Sequence, residues 1–430
     1  MMAAISEKSP NGRTMAAAPE IDTIQAIAGA ASARGKSAGA YPLRAAVSTD
    51  AGTCHITMHD RFDTVAAAWL GLESSGALMT PYQRLDFMRA WHNTLGRDEG
   101  INLRIVEGRT EDGRTAFIWP LGCCSCRGFP MLGWLGGKHA NYGMGIYDRH
   151  ALNILKPQDW RKLMSEAGRL SGADAVVLLN QPESFEGATN PLAAIGGFAS
   201  PSPCHAINLS EDYNALMERL RSRSSRKKIR RNIRRLEETA GRVELRRADT
   251  HVEIIEALAA LRGHKQQLDN CRADRRIFSS DAVIGFLTQA AIPHEDGPPP
   301  PLEIHALHAG ERIVATFVCA VSQTRAAGTS ISFDSDEFAQ CAPGEVMIAM
   351  LLEHFCARGI KTFDLGVGDA EYKRRWCHDK EPLFDSVIAS NLRGRILTAP
   401  SATLSLKIKA VLKHSPRLLG LLHSIQGRLS

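Results

Sequence analysis

The chain has 430 residues, more than one hydrophobic core usually organises, which predicts two domains of typical size with flanking segments. Hydrophobic residues make up 44% and charged residues 23% of the chain, so the composition excludes a protein that is disordered or fibrous throughout. The formal net charge is +6, yet residues 219–235 alone hold ten Lys and Arg and no acid, so the basic character is one local feature of an otherwise slightly acidic protein.

The sequence contains neither a membrane-span pattern nor a signal-peptide pattern. No window approaches the roughly eighteen uninterrupted apolar residues of a membrane helix. The first residues include Glu7, Lys8, Glu20 and Asp22, where a signal peptide needs an apolar run. The ten cysteines are mostly scattered, as in proteins of a reducing compartment. We therefore expect a cytoplasmic protein.

Residues 1–55 are rich in Ala, Gly and Ser, a composition that buries too little apolar surface to offset the entropy of ordering, and they predict a disordered tail. Residues 56–200 predict a first α/β domain. Its expected helices lie around 65–72, 85–91 and 160–172, and its expected strands at 103–106, 116–120 and 175–179. The sequence Pro201-Ser202-Pro203 marks the boundary to the next domain.

Residues 201–396 predict a second domain, in which Pro, Gly and turn residues mark the element boundaries more clearly. It should contain helices at 212–220, 226–239, 252–267 and 281–290 and strands at 243–246, 303–308, 312–321 and 329–333. The turn Ala309-Gly310-Glu311 fits a hairpin between antiparallel neighbours. Pro343-Gly344-Glu345 opens an apolar helix that stops at Gly359, with Pro at the start and Gly past the end as helix caps prefer. A strand at 362–367, a short helix at 370–376 and a strand at 383–389 complete this domain.

Individual residues of the second domain form a recognisable series. The series is Ile304, Gly310, Ala315, Asp334, Pro343-Gly344, Gly359, Asp364-Leu365-Gly366, Gly368 and Tyr372-Lys373, preceded by the basic helix 226–236. It resembles the GNAT-like acetyltransferase domain of CelD-type cellulose-biosynthesis proteins, a family similar to the FemAB-type transferases. The likeness spans about residues 61–424. It implies an α/β protein of tandem GNAT-like domains with mixed sheets, in which the N-terminal domain is degenerate.

The resemblance also implies a donor site in the second domain. In GNAT enzymes the acyl-CoA thioester lies between two diverging parallel strands, and its pyrophosphate rests at the N-terminus of the helix that connects them. The residues that this assigns to the donor are Phe333, Gly344, Glu345, Gly366, Gly368 and Lys373. The fit is imperfect, because Pro343 has no amide to donate and Glu345 puts a negative charge beside the phosphates. The alternative is a self-capped helix that only packs on the sheet.

Tyr372 and Asp364 are the candidate catalytic residues. Many GNAT enzymes place a Tyr just after this strand, where it protonates the departing thiolate, and Tyr372 takes that position. Asp364 orients the amine or accepts its proton if its carboxylate faces the groove. In the alternative reading, Tyr372 covers the sheet end, Lys373 is a solvated surface residue, and a buried Asp364 holds a neighbouring loop by hydrogen bonds.

The basic helix predicts an anion-binding surface. Ile229, Ile233 and Leu236 fall on one face at helical spacing, so this side packs and the cations lie on the others. The candidate anion-binding residues are Arg226, Lys227, Lys228, Arg230 and Arg231. The 3′-phosphate of CoA, an acyl carrier protein, tRNA or an anionic lipid would each fit, and a merely solvated face is the remaining alternative.

Together these features predict an N-acyltransferase. It would use acetyl-CoA or a longer acyl-CoA as co-substrate, without a metal, and act on a small-molecule amine or an amine of an envelope or exopolysaccharide precursor. The alternatives are a transferase that uses aminoacyl-tRNA and a non-catalytic module that binds an anionic ligand. We expect no specific DNA binding. Residues 397–430 predict a basic amphipathic tail that either docks on the protein or contacts a membrane surface.

Overall fold

The computed structural model describes residues 42–398, apart from 127, 196, 210–211, 270–279, 295–296 and 378. Two α/β halves follow one another along the chain, each built on mixed sheets. None of the helices in this described part is long and apolar enough to span a membrane.

The first half is built on a five-stranded and a six-stranded sheet. Its elements are β1 (Leu43–Thr49), β2 (Gly52–His59), α1 (Ala66–Ser74), α2 (Leu85–Trp91), β3 (Asn102–Leu103), β4 (Ile105–Arg109), β5 (Thr115–Trp119), β6 (Leu121–Cys126), β7 (Phe129–Trp134), β8 (Ile146–Tyr147), α3 (Arg149–Ile154), α4 (Pro157–Ser171), β9 (Ala175–Pro182), β10 (Ser184–Phe185), β11 (Ala188–Thr189) and β12 (Phe198–Ala199). The five-stranded sheet has the order β1-β2-β4-β5-β8.

The predicted tail is wrong where it overlaps the described residues. Residues 43–55 belong to the antiparallel hairpin β1–β2, whose pairs run from Leu43 opposite Met58 to Thr49 opposite Gly52. Cys54, Ile56 and Met58 alternate with polar residues and are buried, which is the period-two pattern of a half-buried strand. The high Ala, Gly and Ser content of the preceding residues hid this short pattern. Residues 1–41 of the predicted tail lie outside the described residues.

The second half is built on a seven-stranded sheet of order β14-β15-β16-β17-β18-β13-β19. Its elements are β13 (Cys204–Asn208), α5 (Tyr213–Leu220), α6 (Arg223–Ala240), β14 (Val243–Arg247), α7 (His251–Asp269), α8 (Asp281–Ala291), β15 (Leu302–Ala309), β16 (Arg312–Val321), β17 (Arg325–Phe333), α9 (Pro343–Ala357), β18 (Thr362–Val367), α10 (Glu371–Trp376), β19 (Lys380–Glu381), β20 (Leu383–Ala389) and α11 (Leu392–Leu397).

The hairpin at Gly310 and the helix boundaries at Pro343 and Gly359 predicted for this half are confirmed. Ala309 pairs with Arg312, and Gly310 in the turn has a φ of 57°, a value that glycine adopts without strain. The strands β15, β16 and β17 are antiparallel neighbours. Helix α9 begins at Pro343 and ends before Gly359, and it connects β17 to the parallel strand β18.

Each face of the seven-stranded sheet packs on its own core. One core lies under α5, α6 and α9. The core on the other face includes residues of α7 and α8 and is continuous with the core of the first half. The first half therefore packs directly against the sheet of the second half.

Strand β20 does not belong to the second half, although its sequence position predicts that it should. It pairs with β9 and β12 of the first half and lies in the six-stranded sheet β12-β20-β9-β7-β6-β3. The predicted boundary near residue 200 therefore separates the segments along the chain but not the sheets. Beyond residue 398, the predicted C-terminal tail lies outside the described residues.

Candidate functional site

A gap opens between β17 and β18 toward their carboxyl ends. The two strands pair in parallel only at Arg325 with Thr362, Ala326 with Phe363 and Ala327 with Asp364. Beyond these pairs β17 carries a bulge, because Gly328 lies opposite Cys319 and Ser330 opposite Val318, which leaves Thr329 as the extra residue. A bulge bends its strand and ends local pairing. We call the resulting space, flanked by residues 328–333 and 365–368, the strand gap.

Glycines line the narrow end of the strand gap. A Cβ atom added to Gly366 would lie 2.7 Å from Nδ2 of Asn141 and 2.9 Å from the carbonyl oxygen of Gly328, both closer than side chains allow. Gly366 also has a φ of 80°, in the left-handed region. Any larger residue at this position would therefore block the space and strain the backbone.

The N-terminus of α9 stands beside the strand gap. Its N-cap residue Ala342 offers no side-chain cap to the first amides of the helix. The ring of Phe333 packs on Gly344, since a Cβ added to Gly344 would lie 2.8 Å from the ring. The structure thus brings together two of the predicted donor-binding residues.

Two arginines compensate the negative charge of Glu345. Its Oε1 lies 3.6 Å from Nη2 of Arg221 and 3.3 Å from Nη1 of Arg375. The guanidinium of Arg221 lies 4.5 Å from the ring centre of Trp376, and its side chain is only 9% exposed. Arg375 also pairs with Glu371, at 2.9 Å, so two arginines and two carboxylates balance one another beside the first turn of α9, an arrangement that the sequence pattern did not reveal.

Lys373 is buried and contacts the turn that follows β18. Its Nζ donates a hydrogen bond of 2.8 Å to the carbonyl oxygen of Val367, and Gly368 in the same turn has a φ of 113°. Burial lowers the pKa of Lys373 below its ordinary value. The alternative of a solvated surface lysine is therefore wrong, and Lys373 lies with Gly366 and Gly368 at the end of the strand gap.

Tyr372 is the second residue of α10 and packs against the core that includes Trp376 and Cys377. Its hydroxyl makes no hydrogen bond to any described residue. Burial, and then the proximity of Cys377, raises its pKa above the ordinary value of a tyrosine. The phenol is protonated at neutral pH, which is the form that donates a proton to a leaving group.

Asp364 is fully buried in a network at the junction of the two halves. Its carboxylate accepts hydrogen bonds from the hydroxyl of Tyr142 at 2.7 Å, Sγ of Cys204 at 3.0 Å, Nη1 of Arg325 at 3.2 Å and the amide of Gly366 at 2.5 Å. This environment favours the interpretation in which Asp364 holds its neighbours by hydrogen bonds. A catalytic role for Asp364 stays a prediction.

Several residues of the site were missed at the sequence level. Tyr82 and Asn141 come from the first half, and Nδ2 of Asn141 donates to the carbonyl oxygen of Gly328 at 2.6 Å. His205 on β13 is fully buried, and its Nε2 lies 3.6 Å from Oδ1 of Asp369. Burial lowers the pKa of His205, so the ring is neutral near pH 7. No local sequence signal places Asn141 at the strand gap.

The first half contains a corresponding pair of parallel strands, β7 and β9, but its own chain fills the space. The amide of Gly143 donates to the carbonyl oxygen of Asn180 at 3.3 Å. A Cβ added to Gly143 would lie 2.3 Å from the ring of Trp134. At the N-terminus of α4, the buried carboxylate of Asp159 accepts a hydrogen bond from the amide of Lys156. These contacts fit the prediction that the N-terminal domain is degenerate.

The basic helix α6 packs one face and exposes its cations. Ile229, Asn232 and Leu236 are buried, and the helix lies against α9. The cations that are exposed and form no ion pair with a described carboxylate are Arg223, Lys227, Lys228, Arg230, Arg231, Arg234 and Arg235. We call these seven the basic surface. Arg226 differs from the other four predicted anion-binding residues, because its Nη1 lies 2.6 Å from Oε1 of Glu218.

One further cluster has the residue types of a metal site. The potential ligand atoms of Glu303, His305 and Cys319 all lie within 4.8 Å of one another. However, the carboxylate of Glu303 accepts two hydrogen bonds from Arg358, at 2.6 and 2.8 Å. This guanidinium already neutralises the carboxylate and opposes a second cation, so the cluster is explained as a buried ion pair.

Comparison with known proteins agrees with this geometry. Residues 223–374 match the family model described as an acetyltransferase (GNAT) domain. The structure is similar to that of FemX, with 10% identity, 80% of this chain and 99% of that chain covered, and a TM-score of 0.51. Comparison of the sequence with curated proteins gives no match.

Two other solved structures are similar at lower scores. One is the C-terminal domain (DUF2156) of a putative lysylphosphatidylglycerol synthetase from Agrobacterium fabrum, with 11% identity, coverage of 82% and 98%, and a TM-score of 0.47. The other is a tandem GNAT protein from the clavulanic acid biosynthesis pathway, with 12% identity, coverage of 79% and 99%, and a TM-score of 0.45.

The fold and the family match define the class of the protein. It is an α/β enzyme of the acyltransferase class, as the sequence predicted, and the second of its two successive α/β halves contains the acetyltransferase (GNAT) domain. The matched acetyltransferase (GNAT) domain runs from α6 into α10 and contains the entire strand gap.

The role of Asp364 is testable by substitution. Asp364→Asn removes the charge that faces Arg325, and we expect it to lower the free energy of unfolding by about 3 kcal/mol because it breaks a buried ion pair. Tyr142→Phe removes one hydrogen bond from the same carboxylate and should cost about 1 kcal/mol. Urea unfolding measures both values.

Asp63→Asn is the matched control, because Asp63 is a surface carboxylate that is 70% exposed and pairs with Arg61 and Arg89. Its free energy of unfolding should equal that of the wild type. Unchanged stability of Asp364→Asn together with lost turnover would instead assign the carboxylate to the reaction.

Proposed function

We propose that the chain is an N-acyltransferase that moves an acyl group from an acyl-CoA thioester, bound at the strand gap, to an amine acceptor. One observation carries the proposal: two parallel strands separate at a bulge, directly beside a helix N-terminus that has no side-chain cap. Such a gap admits an extended thioester arm, and the helix N-terminus favours the phosphates at its other end.

The proposed reaction is a direct transfer. The neutral amine attacks the thioester carbonyl, whose oxygen is polarised by backbone amides of residues 329–333 of β17, which have no partner on β18. The C–N bond forms, the C–S bond breaks, and the amine proton passes to solvent. Tyr372 donates its proton to the departing thiolate. Phe333, Gly344, Gly366, Gly368 and Lys373 surround the donor in this proposal.

Donor binding is the first test of the proposal. We expect acetyl-CoA or a longer acyl-CoA to bind the purified chain in calorimetry at low and at physiological salt, because part of the affinity comes from the buried thioester arm rather than from charge. Tighter binding of the longer acyl-CoA than of acetyl-CoA would show that the strand gap accommodates apolar carbons beyond the acetyl group. Binding of neither donor would remove acyl-CoA as the co-substrate.

Tyr372 is the second test. Tyr372→Phe should lower kcat about a hundredfold while leaving the Kd of the donor unchanged, because it removes only the proton donor. The alkaline limb of the wild-type pH profile should lie above pH 10, since burial raises the pKa of Tyr372 above the ordinary tyrosine value of about 10.

The matched control is Tyr213→Phe, another partly buried tyrosine of the same half that packs on α9. It should keep wild-type kcat. Equal turnover of Tyr372→Phe and wild type would exclude Tyr372 from the mechanism.

The acceptor is proposed from the resemblance alone. The CelD-like residues favour an amine of an envelope or exopolysaccharide precursor, or a small-molecule amine, in the cytoplasm. A peripheral membrane contact through residues 397–430 belongs to the same proposal. A non-catalytic module for an anionic ligand is the opposite possibility, and turnover with any donor would exclude it.

The basic surface favours a second candidate function. Seven exposed cations along one helix repel one another and have no described acid to relieve them, so an anionic partner stabilises this arrangement. Helix α6 lies against α9, the helix at whose N-terminus the donor's phosphates would bind in this proposal, and this proximity supports a role of the basic surface in donor binding. A donor carried on tRNA or on an acyl carrier protein would use this surface.

Replacement of Lys227, Lys228, Arg230 and Arg231 by Gln separates the two candidates. If the donor is a tRNA, we expect the affinity for tRNA to fall at least tenfold and the slope of log K against log salt to become shallower. Filter binding at several salt concentrations measures both. The control replaces Arg61 and Arg114, exposed cations of the first half, and should leave binding unchanged. A flat salt response of the wild type would rule out the tRNA donor.

A further inference from the structure

The side chain of Asn141 occupies the narrow end of the strand gap. It reaches there from the first half, in the segment between β7 and β8. Its Nδ2 donates to the carbonyl oxygen of Gly328 on β17 at 2.6 Å, and its Oδ1 accepts a longer contact of 3.5 Å from the amide of Val367 on β18. The Asn141 amide therefore bridges the two strands at the point where their own pairing has stopped.

These two contacts reproduce the pairing of a peptide group. In a sheet, each strand offers a carbonyl to the donor N–H of its neighbour and an N–H to the acceptor carbonyl. Asn141 presents one N–H to β17 and one carbonyl to β18, as a single secondary amide would. The amide of Gly366 does not compete for these groups, because it donates to the carboxylate of Asp364.

Tyr82, also from the first half, anchors Asn141. Nδ2 of Asn141 donates a second hydrogen bond of 2.6 Å to the hydroxyl of Tyr82, which itself donates to the carbonyl oxygen of Ala327 at 3.3 Å. Tyr82 is fully buried, and burial raises its pKa well above the ordinary value, so it stays a neutral donor. Both N–H groups of the Asn141 amide are thus engaged, which fixes its orientation.

We propose that Asn141 is a built-in plug of the strand gap, which a secondary amide of the donor must displace before the donor can bind. The proposal rests on the acyl-CoA function above and deepens it, because the arm of CoA carries secondary amides while its nucleotide end carries none. The Asn141 amide lies so close to Gly366 that a Cβ there would meet its Nδ2 at 2.7 Å and its Oδ1 at 2.9 Å, so a ligand chain at this point requires Asn141 to move. The first half thereby controls access to the donor site of the second half.

Removal of the plug should therefore strengthen donor binding. Asn141→Ala leaves the carbonyl of Gly328 and the amide of Val367 without partners in the free protein, while the donor still satisfies them in the complex. We expect the Kd for acetyl-CoA in calorimetry to fall about tenfold, the equivalent of two ordinary hydrogen bonds. Tyr82→Phe keeps the ring but releases Asn141, and it should lower the Kd by a smaller factor, about threefold.

Two controls isolate the plug from general effects of substitution. Asn102→Ala changes the same residue type on β3, where the side chain is exposed and bonds only the carbonyl of Gly100, so its Kd should equal that of the wild type. Adenosine 3′,5′-bisphosphate, the nucleotide end of CoA without the amide arm, should bind the wild type and Asn141→Ala with equal affinity.

The outcomes distinguish this inference from the proposed function. A Kd of Asn141→Ala that is equal to or weaker than that of the wild type would overturn the plug while acyl-CoA binding stands. Equal tightening of the bisphosphate would also overturn it, because the effect would not depend on an amide. Failure of the wild type and of all three variants to bind acetyl-CoA would overturn the proposed donor, and the displacement with it.

Discussion

The buried ion pair between Arg325 and Asp364 is the contact on which the arrangement of the site depends. The two residues lie at the start and the middle of the parallel strands β17 and β18, and Tyr142 of the first half donates to the same carboxylate. Arg325 also pairs with Glu381, at 2.7 Å, just before the chain returns to the first half as β20. An ion pair in the interior is costly unless its remaining hydrogen-bonding groups are satisfied, and here residues from both halves satisfy them. The position of the first half over the gap is therefore tied to the short paired part of the two strands, from Arg325 to Asp364.

The two halves differ in what lies between their parallel strands, β7 and β9 in the first half and β17 and β18 in the second. Each has a pair of parallel strands joined through a helix. In the first half the backbone of Gly143 lies beside these strands and bonds Asn180, and the carboxylate of Asp159 caps the N-terminus of the helix. In the second half β17 carries the bulge at Thr329 and pairs with β18 over only three residue pairs, and Asn141 of the first half reaches the gap between them. This asymmetry supports the proposal of a single donor site, in the second half.

Local patterns in the sequence predicted the elements of the second half well, because a Pro, a Gly or a turn marks almost every boundary. The hairpin at Gly310 and the helix that begins at Pro343 are examples. Groups that lie far apart in the chain were not predictable in this way. No local pattern shows that Asn141 reaches β17 or that β20 joins the six-stranded sheet of the first half, since both depend on the packing of the two halves. The contacts of Arg221 and Arg375 with Glu345 depend on the packing of distant elements within the second half. The hairpin β1–β2 was missed for a different reason, because small residues next to it hid its alternation.

The charge arrangement at the start of α9 decides how an anionic donor would enter. The carboxylate of Glu345 lies between Arg221 and Arg375, so both guanidinium groups have an anionic partner in the free protein. Although Glu345 and Arg221 are largely buried, the contacts of the Glu345 carboxylate are long, at 3.6 and 3.3 Å, and the attraction between two charges weakens with distance. A phosphate carries more charge and more acceptor oxygens, and the uncapped amides of the helix favour it as well. Glu345 is therefore a weak internal competitor, which keeps the arginines in place without excluding the ligand. In the proposed plug, Asn141 competes with the donor in the same way at the other end of the gap, because its amide occupies the position that an amide of the donor would take.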